Sequence, residues 1–283
     1  MGLLAKGWGI IALVGILHYY YRDSFDPAIL ANAKVLVTGA STGIGEEIAY
    51  HYSRAGAELV LTARRENALQ KVRKKCLELG AKKVSLVLAD MGSPEAPAEV
   101  IQQAVTALGG LDYIVLNHIG WTPFEMWNGD VNHTRWLMEV NFLSFVHLAT
   151  AALPYLEKSG GSIIVVSSLT GKISIPYTTS YAATKYALEG FFGSLRHELS
   201  MKKSPVSITL CILGLIDTQS AMEKIKDKIS MTAYPAQDAA LAVVSAGAVR
   251  LRETYYPWYV RYACFFRDWF PESRDWVIQY MHH

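Results

Sequence analysis

The sequence predicts an α/β protein, a doubly wound parallel sheet flanked by helices within one large domain. Three observations carry that expectation. Short β-rich runs alternate strictly with longer amphipathic runs from residue 34 to residue 250. One strand, 162–167, is apolar almost throughout, as a strand covered on both faces must be. The length of 283 residues suits a single α/β domain of about 250 residues. Parallel neighbours need crossover helices, and those crossovers are right-handed.

The elements follow in order. A β-rich run at 34–38 leads into a glycine-rich turn and an amphipathic helix over 43–55 that stops at Gly56. Residues 58–63 form the second strand, 66–79 a helix ended by Gly80, and 83–88 the third strand. A helix over 94–108 is stopped by Gly109-Gly110, and 111–117 is the fourth strand. A long helix covers 132–156, with a bend expected at Pro154. The fifth strand, 162–167, precedes a helix over 179–201, a sixth strand over 206–213 and a helix over 237–250. There is no internal repeat and no low-complexity linker. The expected division is a signal or anchor segment with linker over 1–30, a dinucleotide-binding catalytic domain over 31–257 and an aromatic helical tail over 258–283.

Composition narrows the partners. The formal net charge is +2, which gives no global case for nucleic acid. The pairs Lys74-Lys75 and Lys82-Lys83 read as solvated faces. Cys76, Cys211 and Cys264 have neither zinc spacing nor a disulfide framework, and Cys211, in an apolar run, reads as core. No metal site is expected.

Hydrophobic residues make up 51% and charged residues 18%, with some of the apolar excess at the two ends. Residues 7–17 are uncharged and apolar, followed by His18-Tyr19-Tyr20-Tyr21-Arg22. Extended to Tyr21 the stretch reaches about 22 Å as a helix, short of a hydrocarbon core of about 30 Å. The bulky residues after it offer no small-x-small cleavage site, and the tyrosine triplet suits an interfacial anchor. The expectation is an uncleaved anchor in the endoplasmic reticulum membrane with a lumenal body; the alternative is secretion after cleavage. The sequon Asn132-His133-Thr134 favours the lumenal side.

The glycine-rich turn is the first motif with chemistry. Thr38-Gly39-Ala40-Ser41-Thr42-Gly43-Ile44-Gly45 joins strand to helix, as in a Rossmann-type fold. Glycine lets backbone turn sharply and approach a pyrophosphate, and the helix offers amides and a positive dipole end. Nicotinamide sites that select NAD place an acid at the tip of the second strand. Here that tip is Arg64-Arg65, whose guanidinium groups suit a 2′-phosphate, so NADP(H) is expected. The competing reading is two solvated arginines. Asp90 and Asn117 end the third and fourth strands, at the edge where open parallel sheets bind ligands.

The second motif moves a proton. Tyr181 and Lys185 are four residues apart on one helix face. Alone, Tyr-x-x-x-Lys is expected about once by chance in a chain of this composition. A phenol with an ordinary pKa near 10 is a poor base at neutral pH. A nearby ammonium and a cationic nicotinamide would lower that pKa, so that Tyr181 exchanges a proton as hydride moves. Ser168 ends the fifth strand, placed to hydrogen-bond the substrate oxygen. Asn141 is placed to hold a water leading from Lys185 to bulk; the competing reading is a core asparagine filling a helix defect.

Together these residues resemble the short-chain dehydrogenase/reductase family, over nearly everything from residue 34 to residue 257, and within it the 11-beta-hydroxysteroid dehydrogenase type 1 branch. Leu116-Asn117-His118-Ile119 stands where most of the family has Asn-Asn-Ala-Gly. Val165-Val166-Ser167-Ser168-Leu169, Gly190-Phe191-Phe192-Gly193-Ser194-Leu195 and Leu213-Gly214-Leu215-Ile216-Asp217-Thr218 add to the likeness. The resemblance implies Tyr181, Lys185, Ser168 and Asn141 as a catalytic tetrad. It implies Gly39, Ser41, Gly43, Ile44, Gly45, Arg64, Asn117 and Thr218 as cofactor contacts, beside Arg65 and Asp90 from the strand ends. Ser168, Tyr181, Leu215 and Tyr177 are the expected substrate contacts. The substrate implied is an apolar, steroid-like secondary alcohol or ketone; retinoids or xenobiotic carbonyls are the alternative, and a catalytically silent NADP- or lipid-binding protein is the alternative of another class.

Two departures stand out. Many NADP members place a basic residue before the second glycine, where this chain has Thr42. Glucocorticoid-active relatives often have a tyrosine just before the proline of the loop between Ser168 and Tyr181; here Ile175 precedes Pro176 and Tyr177 follows it. Finally, Trp258, Tyr259, Tyr262, Phe265, Phe266, Trp269 and Phe270 recur at helical spacing and fill an arc of about 140°. That face suits a homodimer or core contact, or a helix lying in a lipid surface.

Overall fold

A computed structural model describes residues 25–225 and 232–280. The expected anchor stretch, 7–17, and the tyrosine triplet lie outside the described residues.

Seven parallel strands form the central sheet in the order β3-β2-β1-β4-β5-β6-β9. They are β1 (Lys34–Thr38), β2 (Glu58–Ala63), β3 (Lys83–Leu88), β4 (Tyr113–Leu116), β5 (Ser162–Ser168), β6 (Ser207–Leu213) and β9 (Glu253–Tyr256). A short parallel pair, β7 (Ile216–Asp217) and β8 (Tyr234–Pro235), stands apart. The order runs outward from β1 one way and from β4 the other, so the direction reverses between β1 and β4. A doubly wound sheet opens its ligand crevice at that reversal.

The strand pleat divides the core in two. In β1, Val35 and Val37 join one cluster with Ile48, Leu59, Leu61 and Leu69, while Leu36 joins the other with Val60, Ile114 and Phe145. The first cluster is covered by α1 (Gly43–Arg54), α2 (Glu66–Glu78) and α8 (Ala236–Ala248). The second is covered by α3 (Ala96–Leu108), α5 (Ser144–Ser159) and α6 (Thr179–Met201). Full burial of each such aliphatic side chain stabilises by about 1.5–3 kcal/mol. Cys76 and Cys211 are buried, as core thiols are.

Three features differ from the sequence expectation. The long helix is α4 (Val131–Met138) and α5 joined by a π-turn at Glu139–Leu143, while α5 runs on through Pro154. The irregularity is therefore at Asn141 and not at the proline. This helical run, 131–159, is the one among the described residues long and apolar enough to cross a membrane. Its apolar side is occupied, with Phe145, Leu148, Ala152 and Leu156 buried in the core. Secondly, the start of the aromatic stretch is the edge strand β9, paired to β6 with Tyr255 opposite Ile212. Thirdly, the tail is two helices, α9 (Trp258–Phe266) and α10 (Pro271–Tyr280), since Pro271 opens a new helix and supplies no amide to continue the old one. One more helix, α7 (Gln219–Ile225), follows β7.

Candidate active site

The crevice at the β1/β4 reversal is built mostly by backbone packing. Gly39 turns the chain at φ +64°, and a Cβ there would stand 2.7 Å from His118 Cα. A Cβ on Gly45 would stand 2.2 Å from Gly39 O and 2.5 Å from Asn117 Nδ2. These two glycines thus answer first to the protein's own close approach, closing the turn against the end of β4. Asn117 holds that closure, its Nδ2 donating to Thr38 O (3.2 Å) and Gly39 O (3.4 Å). Gly43 opens α1 opposite Thr218, whose Cγ2 would be 3.0 Å from a Cβ. Ser41 lies half-buried in the turn, and Ile44 packs on the core beneath it. Thr42, at the N-cap, makes no side-chain capping bond, so the first amides of α1 and the positive dipole end are left for an anion. A narrow turn ending in uncapped amides fits the pyrophosphate of a dinucleotide.

The rim beyond it is basic. Arg64 stands 4.0 Å from Asp90 in an exposed pair, worth little by itself. Arg65 donates from NH2 to Thr42 Oγ1 at 3.3 Å. Its guanidinium therefore lies over the glycine turn, beside the position where Thr42 stands in place of a base.

Ser168 and Tyr181 meet at the carboxyl end of β5. Ser168 Oγ accepts from Thr170 N (3.2 Å) and Thr170 Oγ1 (3.0 Å), which fixes the turn at Leu169–Gly171. Tyr181 lies in the first turn of α6. Burial pushes its phenol up to about 12, and hydrogen bonding with Ser168 pulls the other way. Burial, and not the lowering expected from Lys185, sets the direction of that shift. Lys185 is 1% exposed and directs Nζ at Val166 O, 2.9 Å away, with the Tyr181 and Phe145 ring centroids at 5.6 and 5.7 Å. Burial pulls its own ammonium down to about 8, with Glu189 opposing. Desolvation is the largest cause of the shift at both groups.

Asn141 occupies the π-turn and is fully buried. Its Oδ1 accepts from Gly120 N at 2.7 Å and its Nδ2 donates to Thr184 Oγ1 at 3.4 Å. Thr184 in turn donates to Tyr181 O at 2.7 Å, which ties the π-turn to the helix of Tyr181 and Lys185. A single wide helical turn of this kind is frequent at functional sites.

A cavity of about 150 Å³ lies between residues 121–130 and the start of α6, lined among others by Trp121, Met126, Trp127, His133, Tyr177 and Ser180. Tyr177 adopts φ +65°, and its ring lies 5.2 Å from Phe124. Of the four expected substrate residues, Ser168 and Tyr181 meet, Tyr177 lines the cavity, and Leu215 lies in the β6–β7 connection with its carbonyl accepting from Tyr234 N. Sequence reasoning missed Thr184, Gly120, Trp121 and the role of His118, because each gains its place from contacts far along the chain. A polar histidine at the end of an apolar strand was the one available signal.

A strand–glycine–helix cradle beside a buried lysine and a half-buried tyrosine and serine defines a dinucleotide-dependent oxidoreductase. The short chain dehydrogenase family model matches residues 33–229, and the chain belongs to this family of NAD(P)-dependent oxidoreductases. A Xenopus tropicalis protein named hydroxysteroid 11-beta-dehydrogenase 1-like protein is 75% identical over 283 residues, covering 100% of this chain and 99% of that one. A Gallus gallus protein of the same name is 64% identical over 250 residues, covering 88% and 87%. Among solved structures, an alcohol dehydrogenase from the archaeon Thermococcus sibiricus, complexed with 5-hydroxy-NADP, superposes with a TM-score of 0.68 at 26% identity, covering 78% of this chain and 94% of the other. A short chain dehydrogenase/reductase from Burkholderia phymatum in complex with NAD shares the fold, with a TM-score of 0.77 at 20% identity and coverage of 87% and 96%.

Proposed function

We propose that this protein interconverts a secondary alcohol and a ketone on an apolar, hydroxysteroid-type substrate with NADP(H). The observation that carries the reading is the grouping of half-buried Ser168 and Tyr181 with buried Lys185 and Asn141 near the carboxyl end of β5, beside the glycine cradle. The name shared by the Xenopus and Gallus relatives supports the substrate class.

When bound, the nicotinamide supplies or accepts the hydride. Tyr181 gives its phenolic proton to the carbonyl oxygen in reduction and takes it back in oxidation. Ser168 holds that oxygen by hydrogen bonding and steadies the charge that develops on it. Lys185 would hold the ribose hydroxyls of the bound nucleotide, and its positive charge would favour phenolate when a proton must be accepted. Asn141 fixes the π-turn against α6 and keeps a site for water near Lys185. Gly39, Ser41, Gly43, Ile44 and Gly45 would hold the pyrophosphate, Asp90 the adenine, and Asn117 and Thr218 the nicotinamide end. The complete set weighs against a silent binding protein.

Arg64 and Arg65 read the 2′-phosphate. Arg64→Ala is expected to raise Kd for NADPH roughly tenfold, the loss of one charge-assisted hydrogen bond, and to leave NADH nearly unchanged. Equal losses for both nucleotides would place that recognition elsewhere. The substrate class is tested by kcat/KM on cortisone, cortisol and retinal with both cofactors in both directions. Preference for retinal would move the protein to the retinoid alternative, and no turnover on any carbonyl would refute the enzyme reading for this substrate range.

The location proposed is the endoplasmic reticulum membrane with a lumenal body, which in microsomes adds a glycan at the exposed Asn132. Absence of that glycan, together with sensitivity to protease added on the cytosolic side of intact microsomes, would refute it. The tail supports a surface contact: Trp258, Tyr262, Phe265, Trp269 and Phe270 are all more than half exposed. Exposed apolar side chains grouped in this way are the kind of surface that marks a protein or membrane contact. A second copy in a homodimer or a lipid surface would cover it; flotation with phosphatidylcholine vesicles, lost on Trp269→Ser, marks lipid, and loss of a dimer in sedimentation marks the second copy.

A further inference from the structure

His118 is 8% exposed and is used by none of the steps above. Its ring bridges two elements that must keep their spacing. Nδ1 lies 2.9 Å from Thr38 Oγ1, at the head of the glycine turn. Nε2 lies 2.8 Å from Ser144 Oγ and 3.1 Å from Val140 O, on either side of Asn141 in the π-turn region. In that turn the Ser144 amide donates five residues back, to Glu139 O. Two residues beyond His118, the Gly120 amide grips Asn141 Oδ1. The segment 118–120 thus holds the π-turn at two points, and the turn holds α6 through Thr184.

We propose that His118 is a positioning residue: its neutral ring braces the π-turn against the glycine turn and so sets where Asn141 stands beside Tyr181 and Lys185. The proposal rests on the reading of Asn141 as part of the acid–base set.

The hydrogen bonds close in either tautomer. Thr38 Oγ1 can donate to Val115 O (3.1 Å) or turn its proton to Nδ1. Ser144 Oγ can donate to Val140 O (2.6 Å) or to Nε2. With the Thr38 proton on Val115 O, Nδ1–H donates to Thr38 and Nε2 accepts from Ser144. With the Thr38 proton on Nδ1, Nε2–H donates to Val140 O. Both ends stay bonded as a neutral imidazole, and burial with the nearby Lys185 charge keeps it neutral, its pKa pulled down to about 3. A short apolar residue would fill part of the space, against Phe145 at 4.5 Å, yet join nothing. The bland alternative is a packing histidine, valued for volume alone.

The phenyl ring of His118→Phe keeps that volume and removes both hydrogen bonds. In cofactor-free protein, His118→Phe is expected to speed deuterium exchange at residues 139–145 by about tenfold or more, with β5 at its wild-type rate. An unchanged rate at 139–145, or an equal rise everywhere, overturns the proposal. If the phenyl variant does not fold, His118→Gln, which keeps one of the two grips, is read the same way with a smaller rise. A double-mutant cycle on NADPH oxidation with cortisone then asks whether His118 acts through Asn141. His118→Phe is expected to lower kcat between about tenfold and about 100-fold at nearly constant KM. Added to Asn141→Ala it should lower kcat no further, and losses that multiply in full overturn the proposal. An Asn141→Ala protein with wild-type kcat instead refutes the reading of Asn141. That outcome is distinct from an impaired Asn141→Ala beside an unimpaired His118→Phe, which refutes the brace alone.

Discussion

Tyr181→Phe is expected to fold normally, to bind NADPH within about twofold of wild type, and to lose about 10²–10⁴ in kcat in both directions. The ring stays, so the packing of the first turn of α6 is kept; only the hydroxyl that meets Ser168, and that is proposed to exchange the proton, is removed. Losing that hydrogen bond costs about 1 kcal/mol, which a fold of this size tolerates. Equal losses in reduction and oxidation follow from microscopic reversibility, since one group serves as acid and base. The high phenol pKa of the cofactor-free site, about 12, makes Tyr181 a poised acid at neutral pH and a poor base. Oxidation therefore depends on added positive charge near the phenol, each unit of lowering being about 1.4 kcal/mol. Progress curves for alcohol oxidation and ketone reduction, with NADPH affinity by fluorescence titration, check it. Substantial turnover by the phenylalanine protein would remove Tyr181 from the chemistry.

The parts legible in sequence are those written in local pattern. The strand 34–38 and the helix 179–201 are found where the alternation of residue types puts them. The glycine turn declares itself because close backbone approach excludes every other residue, as at Gly45. Tyr181 and Lys185 share a helix face by spacing alone. The parts not legible depend on partners distant in the chain. Glu139–Leu143 contains neither glycine nor proline, and its π-turn is bonded by His118 and Gly120 from another element. The strand β9 is four residues of Glu-Thr-Tyr-Tyr that pair only because β6 offers an open edge. Nor could the sequence say how Lys185 ionises. Spacing put an ammonium near a phenol, while burial of both decided their pKa values.

Lys185→Met is expected to stabilise the protein at neutral pH while abolishing turnover. The ammonium is buried at 1% exposure and its pKa falls from 10.5 to about 8. A base whose folded pKa is lowered disfavours folding wherever it is protonated in both states. Below pH 8 that cost is complete, about 3 kcal/mol. From about pH 8 to 10.5 the unfolded chain binds the proton that the folded chain does not, so stability rises with pH; above that range the cost is gone. Methionine fills a similar volume without charge but leaves Val166 O without the Lys185 donor, a loss of about 1 kcal/mol. The net gain at pH 7 is about 2 kcal/mol, or a few degrees in Tm for a domain of this size. The rise in stability between pH 8 and 10.5 should also flatten in the variant. Thermal unfolding at pH 7 and pH 10 reads both effects, and a variant less stable at pH 7 with the wild-type pH slope would contradict them. A lysine buried at that cost fits the role proposed for it beside Tyr181, since packing alone would favour the methionine.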